Sequence, residues 1–243
     1  MEPGKRTILI ADSSATSIFY TASLLRKLRY AVKTVSSGEE ALEAIARSAP
    51  TIVIADVVLP KMSGLDLLKQ IKNNASLRFI PVMINTADES TAVRAACTQA
   101  GCAGFFIKPA DPEELYRAIQ SASEATPRQH IRINTSLKAR IGAGPETGDK
   151  AMIDEVTSIS EGGLYVRTVA PAPLNALVQL TLVLEEREIE ATAVVLYSSE
   201  KAGGPDAAAG MGLKFTNISD EGLNAIRAFI TAEVMRGIGG RRT

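Results

Sequence analysis

Between residues 7 and 124, five short apolar runs alternate with stretches whose apolar residues recur every three or four positions, and that alternation admits few folds. The runs are Ile8 to Ala11, Ala31 to Val35, Ile52 to Ala55, Ile80 to Ile84 and Ala103 to Ile107. Between them, Leu65, Leu68 and Ile71 in "GLDLLKQIKN" and Leu42 and Ile45 in "GEEALEAIARS" mark apolar helix faces. Strands that alternate with helices pair in parallel, because each crossover helix must pack back on the sheet. The expectation is a doubly wound α/β domain with helices on both faces of a (βα)5 sheet.

Polar residues stand where these runs end. Asp12 follows the first and Asp56 the third, Thr86 comes two residues after the fourth, and Lys108 ends the fifth. The crevice at the carboxyl ends of parallel strands is where such sheets bind ligands. A carboxylate at the rim of a packed core costs free energy unless it has partners or a task, so Asp56 behind "TIVIA" demands one. Two aspartates and a backbone carbonyl can hold Mg²⁺, a carboxylate can attack phosphorus, and a hydroxyl and an ammonium can bind phosphoryl oxygens.

Past "RAIQSASEATP" the period changes from helical to alternating. Ser121 to Pro127 reads as a linker, and "INTSLKARI", "LYVRT", "ALVQLTLVL", "REIEATAVVLY" and "GMGLKFTNI" read as strands. Gly- and Pro-rich turns such as "GAGPETGDK" and "KAGGPD" separate them. About six strands without an intervening helix predict a small antiparallel barrel. A last helix begins at Ser219 or Asp220 and packs through Leu223, Ile226, Phe229 and Ile230. The expected boundaries are 1–124 for the α/β domain, 125–132 for the linker and 133–243 for the barrel with its helix.

Composition excludes several classes. Lys+Arg 27 balances Asp+Glu 27, so no overall field draws the chain to nucleic acid or an anionic membrane. No apolar run approaches a membrane span, and the N-terminus leads into a strand without a signal-peptide core, so a cytoplasmic protein is expected. Cys97 and Cys102 admit a redox pair or half a metal site, with small thiols filling space near a helix end as the favoured reading. No nucleophile–base pair appears outside the carboxylate pocket, so turnover as an enzyme is not expected.

The stretches "ILIADSSATS", "IVIADVVLPKMSGLDLL", "PVMINTADE" and "GFFIKPADPEEL" closely resemble the receiver domain of two-component response regulators, whose fold is flavodoxin-like. The resemblance implies that Asp56 is the phosphoacceptor, that Asp12, Asp56 and the Val58 carbonyl are the Mg²⁺ ligands, and that Thr86 and Lys108 bind the phosphoryl group. Phe105 falls at the family's aromatic switch position, and the family's lysine precedes a cis proline, as in Lys108-Pro109. Receivers usually carry two adjacent acids after the first strand, whereas this chain has Asp12-Ser13, which implies weaker Mg²⁺ binding.

Arg128 and Arg132 stand four apart in "PRQHIRINTS", and "TSISEGGLYV" follows. Arginine matches phosphate oxygens and stacks on flat rings. Together the stretches resemble the PilZ domain, which binds cyclic di-GMP through R-x-x-x-R and [DN]-x-S-x-x-G. Arg128 and Arg132 match the first motif, and Ser160 and Gly163 the second, with Ser158 at its Asp/Asn position. Replacing that residue by serine implies binding weakened about tenfold to a hundredfold. His130, between the arginines, reads as an exposed linker residue.

Two readings follow. One is a response regulator with a PilZ output domain, phosphorylated on Asp56 by a sensor histidine kinase, binding cyclic di-GMP and controlling a downstream protein. The other is a non-enzymatic adaptor in which both sites are degenerate and surfaces alone dock partners. By resemblance to receivers, the helix after the third strand and "STAVRAACTQAGCAGFFIKP" would be a switching surface and a homodimer contact.

Overall fold

The computed structural model describes residues 6–142, 152–199 and 209–238. The chain divides into two compact units, the first comprising 1–129 with 234–243 and the second 130–233. The turns anticipated at 143–150 and 201–206 lie outside the described residues. None of the described helices is long and apolar enough to cross a membrane.

The first unit holds β1 (Thr7–Ala11), α1 (Ala15–Lys27), β2 (Ala31–Val35), α2 (Gly38–Arg47), β3 (Ile52–Ala55), α3 (Gly64–Asn73), β4 (Val82–Thr86), α4 (Thr91–Gln99), β5 (Gly104–Ile107) and α5 (Pro112–Ser123). The strands form one sheet in the order β2-β1-β3-β4-β5, all pairs parallel. Ile8, Leu9 and Ile10 of β1, Ile52, Val53 and Ile54 of β3 and Val82, Met83 and Ile84 of β4 are almost fully buried. Each such side chain contributes about 1.5–3 kcal/mol of burial, which is why these strands carry no alternation.

Helix starts follow the serine and aspartate signals. The side chains of Ser14, Ser37, Ser63 and Asp111 accept backbone N–H bonds from the first turns of α1, α2, α3 and α5. Pro112 occupies the first helical position of α5, where a missing N–H costs nothing. Helix α4 ends in a Schellman motif: Gly101, at φ +82°, donates to the Thr98 carbonyl and Cys102 to that of Cys97. The two cysteines therefore occupy the paired positions of a helix end, Cys97 buried and Cys102 half-buried.

Two expectations need correction here. The fourth strand begins at Val82, not Ile80, because Ile80 closes a turn onto the Leu77 carbonyl; Thr86 is thus the last strand residue and not two beyond it. Helix α5 runs through Ser123, into the expected linker, since the Ser123 hydroxyl caps the Ile119 carbonyl and Gln120 is buried against the Tyr30 hydroxyl at 2.9 Å.

The second unit is a closed barrel of β6 (Ile133–Gly142), β7 (Met152–Ser160), β8 (Gly163–Arg167), β9 (Leu177–Leu184), β10 (Arg187–Ser199) and β11 (Gly210–Ile218), ordered β10-β11-β8-β7-β6-β9. Its pairs are antiparallel, and Val156, Ile159, Leu164, Val166, Val178, Leu180, Leu182, Ala193, Val195 and Leu213 fill the interior. Helix α6 (Asp220–Met235) follows, with Ser219 Oγ accepting from the Gly222 N–H. A Cβ at Gly222 would stand 2.8 Å from Ile189, so glycine lets the helix approach β10 closely.

The strand not picked out by alternation is β7. A register irregularity between Val156 and Ser158 shifts its phase, so the inward residues Val156 and Ile159 are three apart instead of two.

Candidate functional site

At the carboxyl end of the parallel sheet, Asp12 is 3% exposed, Asp56 9% and Thr86 0%. Asp12 directly follows β1, Asp56 directly follows β3, Thr86 ends β4 and Lys108 directly follows β5. Strand order reverses between β1 and β3, which opens the crevice these loops line. Lys108 Nζ lies 2.6 Å from Asp12 Oδ2 and 2.5 Å from Asp56 Oδ2. The Lys108 N–H donates to the Thr86 carbonyl at 2.9 Å, which fixes β5 beside β4 where the ammonium departs.

Further bonds hold each carboxylate. Asp12 accepts from the Ser14 N–H at 2.8 Å and the Ser17 hydroxyl at 2.6 Å, and Asp56 accepts from the Val58 N–H at 3.1 Å. Ser17 was not anticipated, although its place one turn into α1 is legible. Gly64 sets the loop after β3: a Cβ there would fall 1.9 Å from the Asp56 carbonyl oxygen. No side chain fits, so this glycine lets α3 begin against the Asp56 backbone. Val58 is 66% exposed, and the Lys108-Pro109 bond is cis.

Phe105 lies half-buried on β5, with the Arg94 guanidinium 4.4 Å from its ring centroid. Ser13 is exposed and adds no charge to the pocket. Two buried carboxylates with oxygen donors aimed into one crevice are a donor set suited to a hard divalent cation. Burial pushes the Cys97 and Cys102 thiols above their usual range, which suits packing rather than thiolate chemistry.

In the second unit, β7 and β8 carry the other group. Ser160 is buried and its hydroxyl donates to the Gly163 carbonyl at 3.1 Å; Ser158 is half-buried. Gly163 sits at φ +157° with a would-be Cβ 2.0 Å from the Leu213 carbonyl oxygen, so the β7–β8 turn passes tight against β11. Arg132 precedes β6 and is exposed. Arg128 is exposed and belongs to the first unit, where its N–H donates to Gln120 Oε1 at 3.1 Å. Neither guanidinium has an ion-pair partner among the described residues. Within the same turn, Glu161 accepts from Arg227 Nε at 2.7 Å and lies 3.6 Å from His130 Nδ1, contacts the sequence did not reveal. A cavity of about 1070 Å³ bordered by Arg140, Thr181, Glu190 and Asn217 includes none of the motif residues.

Comparison with known proteins agrees with this layout. The family description "Response regulator receiver domain" matches residues 8–120, and "PilZ domain" matches 126–232. Two-component response regulator ORR3 of Oryza sativa subsp. indica is 35% identical over 111 residues, covering 45% of this chain and 85% of that protein. Sensory/regulatory protein RpfC of Xanthomonas campestris pv. campestris is 29% identical over 167 residues, covering 66% of this chain; the chain spans 22% of that relative's length. A solved structure of a putative response regulator from Chloroflexus aurantiacus J-10-fl is 31% identical with a TM-score of 0.47, covering 48% of this chain and 96% of that one. The chain belongs to the two-component response regulator family, as a receiver domain followed by a PilZ domain.

Proposed function

We propose that the protein is a two-input response regulator, phosphorylated on Asp56 and binding cyclic di-GMP at the PilZ barrel. The observation that carries the first input is the Lys108 ammonium between the Asp12 and Asp56 carboxylates beside Thr86. In the transfer, an Asp56 carboxylate oxygen bonds to phosphorus, the bond from phosphorus to the kinase's histidine nitrogen breaks, and an acyl phosphate results. Lys108 and the Thr86 hydroxyl then bind phosphoryl oxygens, and Lys108 leaves Asp12 to do so. Mg²⁺, held by Asp12, Asp56 and the Val58 carbonyl, supplies charge neutralisation when bound. Phe105, under Arg94, adjusts as Thr86 moves.

For the second input, the free guanidinium groups of Arg128 and Arg132 take phosphate and base, while Ser158, Ser160 and Gly163 line the remainder. The partners are a sensor histidine kinase and a downstream protein, with the homodimer contact on the α4–β5 side and the cytoplasm as the compartment. Coupling requires that both inputs favour one shared arrangement of the chain around residues 124–132.

Ser13 and Ser158 favour a second reading, an adaptor that docks partners without either chemistry. Incubation with Mg²⁺ and a small-molecule phosphodonor separates the two. A phosphoryl mass added to the wild type and absent from Asp56→Asn supports the regulator; no adduct at any Mg²⁺ concentration supports the adaptor. Calorimetry with cyclic di-GMP on wild type and Arg132→Ala applies the same test to the barrel, where a flat wild-type titration removes the ligand.

A further inference from the structure

Ser158, which stands where the motif has Asp or Asn, has a carboxamide directly across the sheet. In the pairing of β6 with β7, Asn134 is the register partner of Ser158, as Ile133 is of Ile159. Register partners project to the same face with Cβ atoms about 4.5–5.5 Å apart. Burial identifies that face: Ile159 is buried in the barrel, while Asn134 is exposed and Ser158 half-buried. Arg132, two residues before Asn134, is exposed on the same alternation. Among the described residues, the Asn134 carboxamide and the Ser158 hydroxyl have no hydrogen-bond partner.

On its other side Ser158 pairs with Tyr165, Tyr165 with Gly212, and Gly212 with Tyr197. The two tyrosine rings stack with centroids 6.0 Å apart and planes 24° apart. A Cβ at Gly212 would fall 2.4 Å from the Tyr197 ring, and one at Gly210 would fall 2.6 Å from the Tyr165 hydroxyl. The rings therefore pass over the glycine positions of β11, where a side chain would obstruct them; Tyr197 is 50% exposed and Tyr165 half-buried. One row across the strands thus presents Arg132's neighbour Asn134, then Ser158, then a flat aromatic surface.

We propose that this row is the purine-base face of the nucleotide site, with the Asn134 carboxamide replacing the amide or carboxylate missing at Ser158 and Tyr165 supplying a stacking surface. A carboxamide offers two donors and an acceptor, and purine edges present both kinds of partner. Stacking on an aromatic ring adds affinity without needing a hydrogen bond. The proposal rests on the reading of the barrel as a cyclic di-GMP site.

Calorimetry of the full chain with cyclic di-GMP tests it. Asn134→Ala weakens binding about tenfold, and adding Ser158→Asn to that variant restores affinity to within about threefold of wild type. Tyr165→Leu weakens binding about tenfold through lost stacking. Thermal unfolding of Asn134→Ala matches wild type, because the side chain is exposed. If Arg132→Ala loses binding while Asn134→Ala stays within about twofold of wild type, or Ser158→Asn fails to rescue it, the proposal is overturned and the underlying site stands. A flat wild-type titration overturns both.

Discussion

In the receiver domain, Lys108 lies between Asp12 and Asp56 with the three side chains 15%, 4% and 11% exposed, whereas in the PilZ domain Arg132 is exposed with no ion-pair partner among the described residues. The first pocket carries its own counter-charge; the second leaves its cation in water. Each arrangement fits the anion proposed for it. On that proposal, a phosphoryl group attached covalently to Asp56 would arrive in a pocket already polarised, and Lys108 would need only to change partner. A diffusible dinucleotide must displace water from an arginine, and a guanidinium is weakly hydrated, which keeps that cost small.

The contrast can be broken by removing each cation in turn. Lys108→Ala leaves two carboxylates buried without their shared partner and is expected to destabilise the receiver by about 3 kcal/mol in urea unfolding. Arg132→Ala is expected to move stability by less than about 0.5 kcal/mol, and equal effects would erase the distinction. Restoring the usual acid by Ser13→Asp sharpens it: Mg²⁺ affinity, followed by titration calorimetry, rises about tenfold because ligand charge count sets affinity at such sites. Raising salt from about 0.1 to 0.5 M weakens cyclic di-GMP binding several-fold at the exposed arginines, as screening acts in water more than in a buried pocket. The smallest effect concerns the thiols. With burial holding both above their usual range, alkylation of native protein at pH 8 is slower than that of urea-unfolded chain and gains as pH rises; equal rates would contradict the packed helix end.

The receiver was largely legible because its buried strands are continuous apolar runs that end on chemically distinct residues. Asp12, Asp56 and Lys108 are fixed by strand termini, and the sheet brings those termini together without further information. The errors lie where a turn competes with a strand, as at Ile80, or where a serine extends a helix, as at Ser123. The barrel was less legible. Strand β7 hides because its bulge breaks the period of two, and register, which places Asn134 opposite Ser158, depends on pairing that no local pattern encodes. Likewise, the Glu161–Arg227 pair joins residues 66 apart that only the closed fold makes neighbours.

Because the six strands of the barrel close on themselves, each has a hydrogen-bonded neighbour on either side and the barrel has no edge strand. A protein that docked on the barrel would meet mainly the outward side chains of the staves. The receiver sheet, in contrast, ends at β2 and β5 and keeps two open margins; at β2 the exposed Lys33 is the sort of charge that discourages unwanted strand addition.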